Sequence, residues 1–247
     1  MKQVICMKWG TLYGPEYVNR LYNMVHRETT GELDFVCLTD NQEDINPAVR
    51  CFECPEIDIP PPHNMRGWRK LNLYAKSDSL FGLSGDWLYL DLDVVVTGPL
   101  DPFFEYKPSA PFIVMKNWTQ PGSGIGNTSC YRFRVGNDTY LLTDLLNKHA
   151  EILNKFSNSQ TYISRNVKQI EFWPDEWCVL FKVQCIPPWP LRFWKTPVLP
   201  ESARVVAFPG VPNPHQAVRG EWPVKATWKK IYKVIKPATW INDFWND

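Results

Sequence analysis

The sequence contains no apolar run near the ~20 residues a membrane-crossing helix needs. Its opening residues, Met-Lys-Gln-Val-Ile-Cys-Met, lack the apolar core and cleavage site of a secretory signal. Both absences predict a cytoplasmic protein, unless a partner or a surface helix holds it to the inner face of a membrane. Charge of one sign is also lacking. The net charge is +1, so no global field attracts nucleic acid, and no nucleic-acid-binding signature is present. The glycine-rich loop Gly122-Ser123-Gly124-Ile125-Gly126 has no Gly-Lys-Ser/Thr after it, which excludes a phosphate-binding loop, and its spacing is wrong for a dinucleotide fingerprint. Seven cysteines are an odd number for a disulfide framework. Cys51 and Cys54 make one C-x-x-C with no second pair to complete a zinc site, since Cys178 and Cys185 are too far apart. Reduced, mostly buried thiols are the expectation. Internal repeats and a clear linker are missing too, so 247 residues with 44% hydrophobic content predict one domain with a substantial core.

The residues present alternate between strand and helix patterns. Val4–Met7 is a short apolar run, read as a first strand. Tyr17, Val18, Leu21, Tyr22 and Val25 recur at helical spacing, which predicts a helix from Pro15 to about His26, with proline suited to its first turn. Phe35–Leu38 reads as a second strand ending at Thr39-Asp40. Pro60-Pro61-Pro62 marks a loop, Trp68 to about Ser79 looks helical, and Trp87–Leu90 is a third strand. This alternation predicts an α/β fold with a mostly parallel central sheet flanked by helices. Ligands of such sheets bind beyond the carboxyl ends of the strands, where Asp40, Asp91 and Asp93 are expected.

Asp91-Leu92-Asp93 carries the chemistry. On an extended backbone alternate side chains share a face, so the two carboxylates would point together while Leu92 packs inward. Such a pair repels unless a cation joins it. Mg²⁺ or Mn²⁺ takes oxygen ligands and shares itself with substrate phosphates. Strand-end aspartates facing solvent are the plainer account. A D-x-D phosphatase of the haloacid-dehalogenase type is the sharper competitor, with Asp91 as nucleophile. That motif usually follows the first core strand, and here two strand–helix units precede it.

Tyr89-Leu90-Asp91-Leu92-Asp93-Val94-Val95-Val96-Thr97-Gly98-Pro99-Leu100 resembles the DxD region of bacterial GT-A glycosyltransferases akin to the family-8 sugar transferases of lipopolysaccharide and capsule assembly. Lys8-Trp9-Gly10 with Tyr13 and Tyr17–Leu21 resembles that group's first strand–helix turn, and Gly67–Leu71 its helix before the DxD strand. The resemblance implies a single GT-A domain: a nucleotide-binding half over about 1–100, an acceptor-side half over about 101–224, and a basic aromatic tail over 225–247. It implies a nucleotide-sugar donor, UDP-linked, with Mn²⁺ or Mg²⁺ on Asp91 and Asp93. Lys8, Tyr13, Thr39 and Asp40 would hold the nucleotide, and Lys70 would neutralise phosphate or else lie solvated on its helix. Asn127, in Gly126–Phe133, would bond sugar hydroxyls, or else be a turn residue. Two departures stand out. Relatives carry Asp-Gln where this chain has Ser159-Gln160, which leaves Gln160 alone on the catalytic side. They also carry a metal-binding histidine where alignment puts Ala207 or Pro209, and a phosphate-binding lysine near Asn213. His215 is close enough in sequence to replace the metal ligand, or is a surface histidine.

The second half is rich in tryptophan, whose rings stack on sugar faces or fill cores. Trp118 is one such candidate. Phe172–Trp177 brings Asp175 and Glu176 beside two tryptophans and is the expected acceptor side, where an inverting enzyme needs a general base. In the tail, Trp228, Ile231, Tyr232 and Ile235 fall on one helical face with Lys225, Lys229, Lys230 and Lys233 largely elsewhere. This predicts either a packed terminal helix or peripheral membrane contact that would suit a lipid-linked acceptor. The leading expectation is therefore transfer of a sugar to a glycan or glycolipid. A binding protein with a degraded transferase fold and the phosphatase are the alternatives.

Overall fold

The computed structural model describes residues 1–246. The chain runs β1 (Lys2–Lys8), α1 (Pro15–Arg27), β2 (Leu33–Thr39), β3 (Arg50–Glu53), β4 (Asp86–Leu90), β5 (Val94–Val96), α2 (Asp101–Glu105), β6 (Phe112–Lys116), β7 (Gly126–Arg134), α3 (Tyr140–Asn147), α4 (His149–Lys155), α5 (Ser159–Asn166), β8 (Glu171–Phe172), β9 (Cys178–Leu180), β10 (Val205–Ala207) and α6 (Pro214–Val218), with short 3₁₀ turns between. A seven-stranded sheet has the order β3-β2-β1-β4-β7-β6-β8. Only β7 runs against the others. A smaller sheet, β5-β10-β9, lies beside it.

Strand periodicity divides the core in two. On β1, Val4 and Cys6 face one apolar cluster, while Ile5 and Met7 face the other. Phe35 and Cys37 of β2, and Leu88 and Leu90 of β4, join the first; Val36, Leu38, Trp87 and Tyr89 join the second. The first cluster holds the buried face of α1 and the small sheet; the second holds residues 68–74 and parts of α3–α5. A sheet covered on both faces explains why its strands read as near-continuous apolar runs. All seven cysteines are free thiols, six of them buried and Cys51 half-buried.

Three expectations change. The helix foreseen over Trp68 to about Ser79 is two 3₁₀ pieces, Gly67–Tyr74 and Ser77–Ser79. Every side chain from Trp68 to Tyr74 is buried, so the segment has no solvent face for an amphipathic helix to present. The Asp91–Asp93 segment is not extended. It forms the turn by which the chain leaves the large sheet after β4 and enters the small one at β5, closed by Val94 N–H on the Asp91 carbonyl at 3.4 Å. The C-terminal amphipathic helix is absent. Residues Thr227–Ile231 make one 3₁₀ turn, and Ile235 is pulled into the core while Trp228 and Ile231 stay exposed. Pro237 cannot continue a helix, and burial of Ile235 and Ala238 fixes the chain against Ala217, whose carbonyl accepts from Ala238 N–H at 2.9 Å.

Candidate functional site

β1 and β4 are adjacent and parallel, yet the chain leaves β1 toward β2 on one side and reaches β7 from β4 on the other. This reversal opens a crevice at their carboxyl ends. A cavity of about 550 Å³ fills it. It is lined by residues 7–13 after β1, by Met65–Gly67, and by Asp91–Asp93 after β4. A neighbouring hollow extends it to Asp40 and Asn41, sharing Lys8, Gly10, Thr11 and Tyr13.

Asp91 and Asp93 meet here with Leu92 packed into the core between them. Each carboxylate is held by one oxygen. Asp91 Oδ1 accepts from Tyr89 Oη at 2.9 Å and lies 2.5 Å from Lys70 Nζ. Asp93 Oδ2 accepts from Tyr13 Oη at 2.9 Å. Among the described residues the second oxygen of each has no side-chain partner. Burial, then the adjoining Asp91 charge, push Asp93 up to about 7, against the opposing pull of Tyr13 and Lys70. Tyr13 is itself held far above the phenol range, by burial first and then by Asp93, so it remains a donor. A crowded carboxylate pair facing a cavity, one member pushed toward its protonated form, is a setting that a hard divalent cation relieves. Among the described residues no three of His, Cys, Asp and Glu gather into a cation-holding cluster. Asp91, Asp93 and His215 therefore do not form a preassembled three-ligand site. His215 Nδ1 instead shares a 2.5 Å hydrogen bond with Tyr17 Oη, whose ring lies 4.6 Å from that of Tyr13. Burial, then the Arg219 cation, lower the His215 pKa.

The other expected residues separate into groups. Lys8 is buried, lines the cavity, and lies 3.8 Å from Asp40. Asp40 Oδ2 accepts the Gly10 N–H at 2.7 Å, holding a turn that Gly10 enters at φ +63°, a left-handed conformation that favours glycine. The Thr39 hydroxyl is occupied by the backbone of Asn41. Lys70 is not solvated; it is buried, 2.5 Å from Asp91 Oδ1, and donates to the Thr128 carbonyl at 3.3 Å. Asn127 is buried, and its Oδ1 accepts the Ser129 N–H at 2.9 Å, while its amide N–H₂ has no partner. It follows Gly126, where a Cβ would run into Val114. α5 packs beside this strand, with Gly126 N–H donating to Ser164 Oγ at 3.0 Å. Ser159 Oγ lies 3.3 Å from the position a Cβ on Gly67 would take, which brings the start of α5 to the cavity wall. The side-chain amide of Gln160, the next residue, makes no hydrogen bond.

The acceptor-side candidates lie elsewhere. Trp173 is buried and Trp177 half-buried in a stack with Phe103 and Tyr106, so these rings serve the core. Asp175 pairs with Lys116 at 2.5 Å, Glu176 lines a separate polar hollow, and Trp118 donates to the Cys178 carbonyl. Trp118 also borders a third cavity with Gln120, Ile125 and Phe172. None of these five residues (Trp118, Trp173, Asp175, Glu176 and Trp177) lines the cavity at Asp91 and Asp93.

Two further residues contribute, and only one of them has a signal in the sequence. Arg66 lines the cavity with an exposed guanidinium that makes no hydrogen bond or ion pair. It sits after a proline-rich loop and nothing local announces it. Tyr89 was legible, since strand alternation puts it on the same face as Asp91.

No family model matches the chain, and no curated protein sequence matches it. Solved structures do. The galactosyltransferase LgtC, in complex with donor and acceptor sugar analogues, superposes with a TM-score of 0.58 at 12% identity, over 86% of this chain and 88% of that one. An active-site glutamine-to-glutamate mutant of LgtC matches over 93% of this chain with the same score. The glycosyltransferase GlyE of Streptococcus pneumoniae TIGR4 matches with a TM-score of 0.56 at 14% identity, over 86% of this chain, which spans 56% of GlyE. The bifunctional glycosyltransferase WbbM matches at 11% identity and 0.56, with this chain spanning 46% of its length. The chain has the GT-A type fold of these glycosyltransferases, with Asp91 and Asp93 at the crevice between its two central parallel strands.

Proposed function

We propose that the protein is a glycosyltransferase, akin to the family-8 enzymes, that moves a sugar from a nucleotide donor to a glycan or lipid-linked glycan. The donor is UDP-linked in this reading, and the transfer depends on Mn²⁺ or Mg²⁺. The observation that carries it is the Asp91–Asp93 pair, Asp93 buried and Asp91 half-buried, mutually repelling beside a cavity that Lys8 and Arg66 also line. Two carboxylates fit a cation that completes its shell with water and the donor's own phosphates. Such a cation, when bound, offsets the charge that develops on the departing diphosphate.

The chain's own residues would then act as follows. The hollow at Lys8, Gly10 and Asp40 would take the nucleoside, with Asp40 holding the turn. Lys8 and Arg66 would face the phosphates. Asn127 would offer its free amide to sugar hydroxyls. Gln160 would lie near the sugar at the start of α5; a neutral amide can orient and polarise but cannot accept the acceptor's proton. In the transfer the bond between the sugar's anomeric carbon and the phosphate oxygen breaks, and its electron pair leaves with the nucleoside diphosphate. The acceptor hydroxyl oxygen bonds that carbon, and its proton passes to the departing diphosphate. LgtC, whose fold is similar, also has a glutamine in its active site, which supports giving Gln160 this role.

One observation favours a second reading, a binding protein that holds donor without turning it over: among the described residues no third His, Cys, Asp or Glu gathers with the two aspartates. The phosphatase alternative finds no support, since Asp91 follows the fourth strand of a glycosyltransferase fold. The two remaining readings separate in a panel of nucleotide sugars offered with Mn²⁺ or with chelator. Metal-dependent release of nucleoside diphosphate is the expected result. Tight donor binding with no release under any acceptor condition would leave the binding protein.

A further inference from the structure

Two segments distant in sequence form one surface. Trp189 Nε1 donates to the Ile231 carbonyl at 3.4 Å, and Arg192 donates to the Tyr232 carbonyl at 3.0 Å. The loop around 189–198 is thereby fixed against the turn at 227–232. Large apolar side chains on this surface point outward: Trp194 is 73% exposed, Ile231 66%, Trp228 63% and Trp189 56%. In a water-soluble environment such rings are normally covered, and contiguous exposed groups of this size mark contact surfaces.

The charge on the same surface identifies the partner. From Trp177 to Pro200 there is no carboxylate, and the cations are Lys182, Arg192 and Lys195. From Trp222 to Asn242 there is again none, against Lys225, Lys229, Lys230, Lys233 and Lys236. None of these cations forms an ion pair among the described residues. Several lie instead over rings of the patch: Arg192 and Lys233 over Trp222, and Lys229 over Trp228, at 5.6–5.8 Å. Exposed tryptophans interleaved with unpaired cations match an anionic bilayer, whose headgroups take the charges while the rings enter the interface. A second copy of this chain would meet like charge with like charge.

We infer that the 189–198 loop and the 225–236 segment together form a docking surface for anionic membrane. Its position bears on the active site. Lys182 donates to the carbonyls of Pro209 and Val211 in the loop after β10, and it lies where both Lys233 and Asp93 act on it electrostatically. Lys182 thus ties the docking surface to the loop after β10, on the side of the molecule where Asp93 acts on it. If the protein is a transferase, this brings the catalytic crevice to the plane in which a lipid-linked acceptor lies. That last step rests on the proposed function; docking itself does not.

The test is co-flotation of the full-length protein with vesicles of phosphatidylcholine alone or with about one third phosphatidylglycerol, at low and high salt. Binding to the anionic vesicles alone, lost at high salt, is expected. Each lysine near such a surface contributes about fivefold to partition, so Lys229→Gln, Lys230→Gln and Lys233→Gln together should weaken binding about a hundredfold. Trp194→Ser and Trp228→Ser should weaken it with the cations intact. Trp194, Trp228 and Lys230 are exposed and Lys229 and Lys233 half-exposed, so an unchanged melting profile should confirm that the variants fold. The inference is overturned by equal binding to both vesicle types, by no binding at low salt, or by concentration-dependent self-association that the tryptophan variants abolish. Since no turnover is read, failure of docking and failure of the transferase reading remain distinguishable.

Discussion

The ammonium of Lys70 lies 2.5 Å from Oδ1 of Asp91, and both groups are largely withdrawn from water. Lys70 is therefore the internal counter-charge of the acidic pair. Lys70→Met would leave the Asp91 charge uncompensated. A broken buried pair costs about 3 kcal/mol or more. The loss should be large in urea melts at pH 8 and smaller at pH 5, where Asp93 holds its proton and no longer adds a second negative charge beside Asp91. Equal losses at both pH values would place Lys70's role in packing instead.

Asp93 sets a pH dependence of the metal-free protein. Folded, it keeps its proton up to about pH 7; unfolded, it loses it near the ordinary carboxylate value. Between those points the folded state binds more protons, so its stability falls as pH rises. Asp93→Asn removes that fall. Without metal, the variant should melt higher than the parent at pH 8 by an amount on the order of 1–3 kcal/mol, and should match it near pH 4. A variant less stable than the parent at pH 8 would contradict the burial argument.

Strand β1, strand β2, strand β4 and the Asp91–Asp93 pair were legible because each is a local signal: an apolar run, or two acids flanking one apolar residue. The conformation of the pair was not, because the turn between the sheets is set by where β5 pairs, and β10, its partner, arrives more than a hundred residues later. Phe172–Trp177 looked like an acceptor site for a similar reason. Aromatics beside carboxylates have the same composition whether they face a sugar or, as Trp173 and Trp177 do, stack on Phe103 and Tyr106. Arg66 could not be found at all, since only the fold brings the end of a proline-rich loop over the crevice.

Tyr13→Phe removes the hydroxyl that donates to Asp93 Oδ2. That bond favours the ionised carboxylate, so its loss raises the Asp93 pKa further. The acid limb of the metal-dependent rate profile should move up by about one pH unit. An unmoved limb would mean that Asp93 does not control it.

His215 touches the pair only through a relay: His215 to Tyr17, Tyr17 ring to Tyr13, Tyr13 to Asp93. Groups at this remove from a metal affect its affinity by about tenfold or slightly more. His215→Gln should weaken Mn²⁺ binding by about that factor and leave turnover metal-dependent. Complete loss of Mn²⁺ binding would show that His215 swings in as a direct ligand.

The central claim is that Asp91 and Asp93 hold the cation together with the donor's diphosphate. Electron paramagnetic resonance of Mn²⁺ titrated into the protein reads this directly. With UDP present, the free-ion signal should be depleted by the parent protein, depleted far less without UDP, and left untouched by Asp93→Asn despite an unchanged fold. Equal depletion by the parent and by Asp93→Asn would contradict the claim.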